Sequence, residues 1–139
     1  MEIGVKVTKT GPFFTKKGKP MQMALERSIQ DAVEMGEQRL DAILRPRPAG
    51  VYLSFQQARP GQASTGHYRR SIHGEAKPDR GRIDDSNVVY GPWLEGISSR
   101  NRTTRFPGYM TFRKTAQWLD KRLEGILRDN VRRFTRRMN

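Results

Sequence analysis

Met21, Leu25, Ile29, Val33, Leu40 and Ile43 recur at spacings of three, four or seven residues, and no feature of the chain constrains its fold more tightly. That spacing gathers all of them on one side of a helix running from about residue 21 to 44. Pro20 suits the first turn, where a missing N–H costs nothing, and Pro46 and Pro48 stop the helix. Such a helix is about 35 Å long, and its stripe, widened by Ala32, Gly36 and Leu44, needs a partner layer. Its other face is mostly acidic, with Glu26, Asp31, Glu34, Glu37 and Asp41 outnumbering Arg27 and Arg39. A second helical stripe runs from about Thr111 to Arg137 through Phe112, Ala116, Leu119, Leu123, Ile126, Val131 and Phe134, with Leu127 bridging its one step of five. The opposite face of this second helix is densely basic.

Between and before these rods the period changes to two. Ile3, Val5 and Val7 alternate with Gly4, Lys6 and Thr8, as in a strand with one wet face. Arg69–Ala76 and Arg82–Tyr90 read as two more strands around the turn Lys77-Pro78-Asp79-Arg80-Gly81, whose Pro, Asp and Gly suit a chain reversal. Asp84-Asp85-Ser86-Asn87 reads as a break or bulge in the latter strand. Val51–Phe55 suggests a further strand or extended arm. Gly91–Gly96 suits a turn and one turn of helix, whereas Ile97–Gly108 is polar, arginine-rich and aperiodic, hence a long loop. The expected fold is α+β: a small antiparallel sheet packed with a long N-terminal helix and a long basic C-terminal helix.

The chain of 139 residues fits a single domain, 1–139, with mobile loops expected near residues 11–20, 46–64 and 97–108. Its 27 Lys+Arg against 14 Asp+Glu give a formal net charge of +13. A compact monomer carries that charge at a cost in self-repulsion, so acidic partners, nucleic acid or charge-complementary neighbours are expected. Cysteine is absent, which excludes disulfides, thiolate metal sites and a cysteine nucleophile. No apolar run is long enough to span a membrane, and the first residues lack the layout of a signal peptide, so a soluble product made inside a cell is expected.

Chemistry-bearing residues are sparse. His67 and His73 lie six apart with Arg69 and Arg70 between them, too few and too scattered for a metal. Asp84-Asp85 lacks the alternating ligands of a calcium loop and reads as a solvated turn. Ser64-Thr65-Gly66-His67 sets hydroxyls near a histidine without an orienting acid or an oxyanion site, and neither a nucleophile elbow nor a phosphate loop exists. No catalytic residue, cofactor or metal is expected. From Arg100 to Asn139, 12 Lys+Arg face 3 Asp+Glu. Arg128, Arg132, Arg133, Arg136 and Arg137 are the candidates for contact with DNA or an acidic partner, although no docking motif or interleaved aromatic stack accompanies them. The acidic and basic helices can pair within one chain, or between copies head to tail, an arrangement that closes into rings. Phe13 and Phe14, adjacent in a lysine-rich loop, need a covering contact and are candidate interface residues.

Thr65-Gly66-His67-Tyr68-Arg69-Arg70-Ser71-Ile72 resembles a segment common in the head–tail joining proteins of long-tailed bacteriophages, the neck and tail-completion family that includes lambda's minor tail protein Z. Val88-Val89-Tyr90-Gly91-Pro92-Trp93-Leu94-Glu95-Gly96 is similar to that family's strand ending in Tyr, an aromatic, Glu and Gly. Phe106-Pro107-Gly108-Tyr109-Met110-Thr111-Phe112-Arg113-Lys114-Thr115-Ala116 is similar to its aromatic-Gly entry to a helix. The likeness covers roughly residues 21–131, and the order of the motifs carries it. It implies a non-enzymatic virion protein forming a homo-oligomeric, six-fold ring in the neck, assembled in the bacterial cytoplasm. The implied partners are head-closure or adaptor proteins on one side and tail terminator or tail tube on the other, with DNA passing through the lumen without sequence-specific contact. Tyr90, Trp93 and Glu95 would then shape a turn near a subunit contact, and Arg100, Arg102 and Arg105 would reach a neighbour or the lumen. The alternative from another class is a monomeric basic nucleic-acid-binding protein using the C-terminal helix. A small basic ribonuclease is a third.

Overall fold

The computed structural model describes residues 1–6, 18–45 and 67–136. Along the chain come β1 (Glu2–Lys6), α1 (Gly18–Leu44), α2 (His67–Arg70), β2 (His73–Ala76), β3 (Arg80–Asp84), α3 (Gly91–Glu95), α4 (Arg100–Thr104) and α5 (Thr111–Arg136). The fold is α+β, with one three-stranded antiparallel sheet and two long helices.

β3 is the central strand, flanked by β1 and β2. Ile3 pairs with Ile83 and Val5 with Gly81, so the alternation read from β1 places its apolar face on the same side as that of β3. That face lies on α1. Close approach is possible because small residues meet there: a Cβ added at Gly81 would come within 2.5 Å of Val33, and one at Gly74 within 2.5 Å of the same side chain. The edge strand β2 is guarded too, since the Glu37 carboxylate accepts a hydrogen bond from the Gly74 N–H at 2.6 Å.

α1 buries Met21, Ala24, Leu25, Ile29, Ala32, Val33 and Leu40 between the sheet on one side and α5 on the other. It begins at Gly18, so the loop expected over 11–20 gives its last three residues to the helix. α5 runs antiparallel to it: Leu119 sits beside Gly36 near one end, and Asn130 meets Ser28 near the other. The two rods therefore pair within one chain. They do so without charge pairing, for among the described residues no ion pair joins α1 to α5. The polar latch is neutral on one side: the buried Asn130 amide donates to Ser28 Oγ at 3.2 Å and to Asp31 Oδ2 at 2.8 Å. Toward the other end the Trp118 ring stacks between the guanidiniums of Arg39 and Arg122, 4.6 and 4.1 Å from its centre.

Several expectations need correcting. The strand expected over Arg69–Ala76 is a strand only from His73. Residues 67–70 form a helical turn instead, closed by the Ser71 hydroxyl and N–H on the His67 carbonyl. The strand expected over Arg82–Tyr90 starts at Arg80 and ends at Asp84. Asp84 Oδ1 then accepts the Ser86 N–H and Asp85 Oδ1 the Asn87 N–H, two successive side-chain turns that swing Ser86 and Asn87 to positive φ. Asp85 is fully buried, not solvated. It pairs with the Met1 ammonium at 2.9 Å and accepts from the Tyr68 hydroxyl at 3.3 Å. Burial, with the Asp85 carboxylate beside it, holds the Tyr68 hydroxyl well above the ordinary tyrosine range, so it remains a donor. The acidic face of α1 is also partly consumed within the chain, with Glu37 on β2 and Asp41 on Arg69 and Arg45. Val51–Phe55, Phe13 and Phe14 lie outside the described residues. Among the described residues no helix is long and apolar enough to cross a membrane.

Candidate functional site

The arginine-rich stretch expected to be a long loop contains a helical turn, α4, and is built as a closed loop with its own small core. Its neck is a backbone contact between two glycines. Gly96 (φ +88°) ends α3 and Gly108 (φ +85°) precedes α5. A Cβ at Gly96 would lie 2.1 Å from the Pro107 carbonyl oxygen, and one at Gly108 2.3 Å from the Gly96 nitrogen. Only glycine satisfies both the left-handed backbone and this approach. Beside the neck, the Tyr109 N–H donates to the Leu94 carbonyl at 2.6 Å. A loop with its ends held together and its interior filled by its own side chains is an Ω-loop.

Asn101 fills that interior. Its amide donates to the carbonyls of Trp93 and Phe106, both at 2.8 Å, and its oxygen accepts the Ser98 N–H at 2.9 Å. One side chain thus ties both limbs of the loop to the start of α4. The Trp93 indole donates to Thr104 Oγ1 at 3.2 Å, while its ring packs on Phe106 and Phe106 packs on Tyr109, with centroids 4.9 and 5.1 Å apart. Burial raises the Tyr109 hydroxyl pKa.

Glu95 fixes this loop to the rest of the molecule. It is only 3% exposed. Its carboxylate accepts from Thr111 Oγ1 at 2.6 Å and from the Phe112 N–H at 2.8 Å, and so caps the positive N-terminal end of α5 from a distant point in sequence. The residue expected to shape a turn near a subunit contact thus ties that turn to the first residues of α5. Trp93, half-buried, is likewise part of the loop's core.

What the loop presents outward is different. Arg100, Arg102 and Arg105 are all exposed, and none forms an ion pair among the described residues. Beside them Ile97 is 65% exposed, and before α3 stand Val89, 95% exposed, and Tyr90, 41% exposed. Tyr90 packs its ring toward Tyr68 and His67. Along α5, Arg132, Arg133 and Arg136 are exposed and make no ion pair among the described residues, whereas Arg128 pairs with Glu124 one turn earlier; Arg137 lies outside the described residues. His73 is exposed, its Nδ1 near the Ser71 carbonyl and the Ser86 hydroxyl. Among the described residues no three His, Cys, Asp or Glu side chains converge as metal ligands.

Asn101, Asn130 and Asp85 organise this architecture, and sequence reasoning passed over all three as positioning residues. The one available signal is the pair Gly96 and Gly108 flanking a polar stretch next to Pro107. No family model, curated protein or solved structure matches the chain.

Proposed function

We propose that this chain is a structural subunit of a homo-oligomeric ring in the head-to-tail connector of a long-tailed bacteriophage, joining head-closure proteins to the tail around the DNA passage. The observation that carries the reading is the Ω-loop at residues 96–108. It is held in place by Asn101 and the glycine neck, yet it displays three exposed arginines and an exposed Ile97. Internal hydrogen bonding of that quality fixes the loop, while its outer face carries no ion pair among the described residues. Exposed Val89 and Tyr90 extend the unused surface into the segment that carries the family resemblance. The proposed work is geometric and adds no reaction: subunits repeat, seal a joint and surround DNA.

Native mass spectrometry of the full chain, with negative-stain imaging of the same sample, tests this. Closed rings at physiological salt are the expected result, and a monomer at high concentration contradicts it.

A second reading rests on α5, whose exposed Arg132, Arg133 and Arg136 lack carboxylate partners among the described residues. A monomer using them would bind duplex DNA with an affinity that falls steeply with salt. Rings with negligible duplex affinity at physiological salt favour the connector. A DNA-binding monomer favours the second reading.

A further inference from the structure

We propose that copies of this chain join head to tail by seating the arginine-bearing loop of one copy (Ile97, Arg100, Arg102 and Arg105) in the groove between α1 and α5 of the next. The inference rests on the ring reading and adds the two surfaces that meet.

The groove has a volume of about 570 Å³ and lies between α1 and α5 beside the Asn130 latch. Met35 and Ile126 give it apolar lining, and Asp31, Glu34 and Asp129 give it acidic groups. Asp31 is shared with Arg27 and Asn130, but Glu34 meets only the neutral amide of Gln38, and Asp129 has no ion pair among the described residues. Arg133 on the same lining offsets one of the three carboxylates. The groove is therefore net negative in a chain whose total is +13. The loop is its complement in both respects, with three exposed guanidiniums that carry no ion pair among the described residues and, next to them, an exposed isoleucine for Met35 and Ile126 to cover.

Position decides the mode of assembly. The loop leads into the first residue of α5, whereas the groove lies near residues 126–133 of the same helix, about 28 Å further along at 1.5 Å per residue. A single subunit cannot fold its loop over its own groove across that rigid rod. Two copies joined through one loop and one groove still carry a free loop and a free groove, so the contact repeats until rotation closes it. A single exposed ion pair contributes little, so the joint depends on several pairs acting together with covered apolar surface.

Two full-length variants test the joint. Arg102→Glu with Arg105→Glu spoils the loop and leaves the groove intact; Glu34→Arg with Asp129→Arg does the reverse. Each alone is expected to sediment as a 16.0 kDa monomer with wild-type helix content. Mixed, they are expected to assemble again with the two variants alternating, because the intact loop fits the intact groove and the glutamate-bearing loop meets the arginine-bearing groove with both charges reversed. If a reversal unfolds the chain, the neutral pair Arg102→Gln with Arg105→Gln replaces it, raising the concentration needed for assembly about tenfold. Variants that assemble like wild type, or a mixture that stays monomeric, overturn the joint while leaving wild-type rings, and the connector reading, intact. A wild-type chain that never assembles overturns both.

Discussion

The two long helices are nearly equal, 27 residues in α1 and 26 in α5, yet they do different things. α1 buries residues along most of its length, from Met21 to Leu40, against the sheet and α5, and its carboxylates at Glu37 and Asp41 are tied to β2 and to Arg69. α5 is buried mainly over its first third, at Thr111, Phe112, Thr115 and Leu119, and thereafter is held by half-buried apolar residues and the single buried amide of Asn130. The contrast separates two tasks within one fold. Burial is concentrated where α1, the sheet and the start of α5 meet, and the later length of α5 and the loop before it are more exposed.

Truncation of core side chains should break the symmetry of the two rods most clearly. Leu40→Ala, at a fully buried site on α1, is expected to cost about 2–5 kcal/mol. Leu127→Ala, half-buried on the outer part of α5, should cost roughly 1 kcal/mol. Urea unfolding of both variants checks this, and equal losses would show that α5 is as much a core element as α1. A smaller effect is expected at the joint between regions. Glu95→Gln keeps the shape but weakens a charged cap on two or three donors of α5, at a cost of about 1.5–3 kcal/mol. Hydrogen exchange should place the new opening at the first turn of α5 and the loop neck, leaving α1 protected. Exchange that rises equally in α1 would contradict that separation.

The smallest effect is one of pH. Hydrogen bonds from Arg45 and then Arg69 hold the Asp41 carboxyl below its ordinary value of 3.8. A group whose folded pKa is depressed stabilises the fold above its unfolded pKa and loses that contribution as pH falls through the folded one. Acid titration should therefore weaken the tie between α1 and α2 below about pH 4, and Arg69→Met should flatten that part of the stability profile. An unchanged acid limb would show the tie to be inert.

The long-range pattern of this fold is legible in the sequence because it depends on period. The stripes through Leu25, Ile29 and Val33 and through Phe112 and Leu119 give the two rods, and Ile3 and Val5 give the first strand. Elements set by one or two side-chain hydrogen bonds leave no periodic trace. Asp84 and Asp85 end β3 by capturing N–H groups two residues on, and Asn101 converts an aperiodic stretch into a fixed loop. Charge misleads for a similar reason: the acidic stripe of α1 is visible, but its carboxylates meet Gly74, Arg69 and Asn130 instead of the basic face of α5. Of the candidate site, the arginines at 100, 102 and 105 are readable as exposed charge. Glu95 is readable as a turn residue but not as the cap of a helix that begins 16 residues later.

In the proposed ring identical copies complete one another, and the mass of the native particle decides whether they do. Native mass spectrometry of the full chain should show a closed multiple of the 16.0 kDa subunit that persists on dilution at physiological salt. A single 16.0 kDa species across the whole concentration range would contradict it.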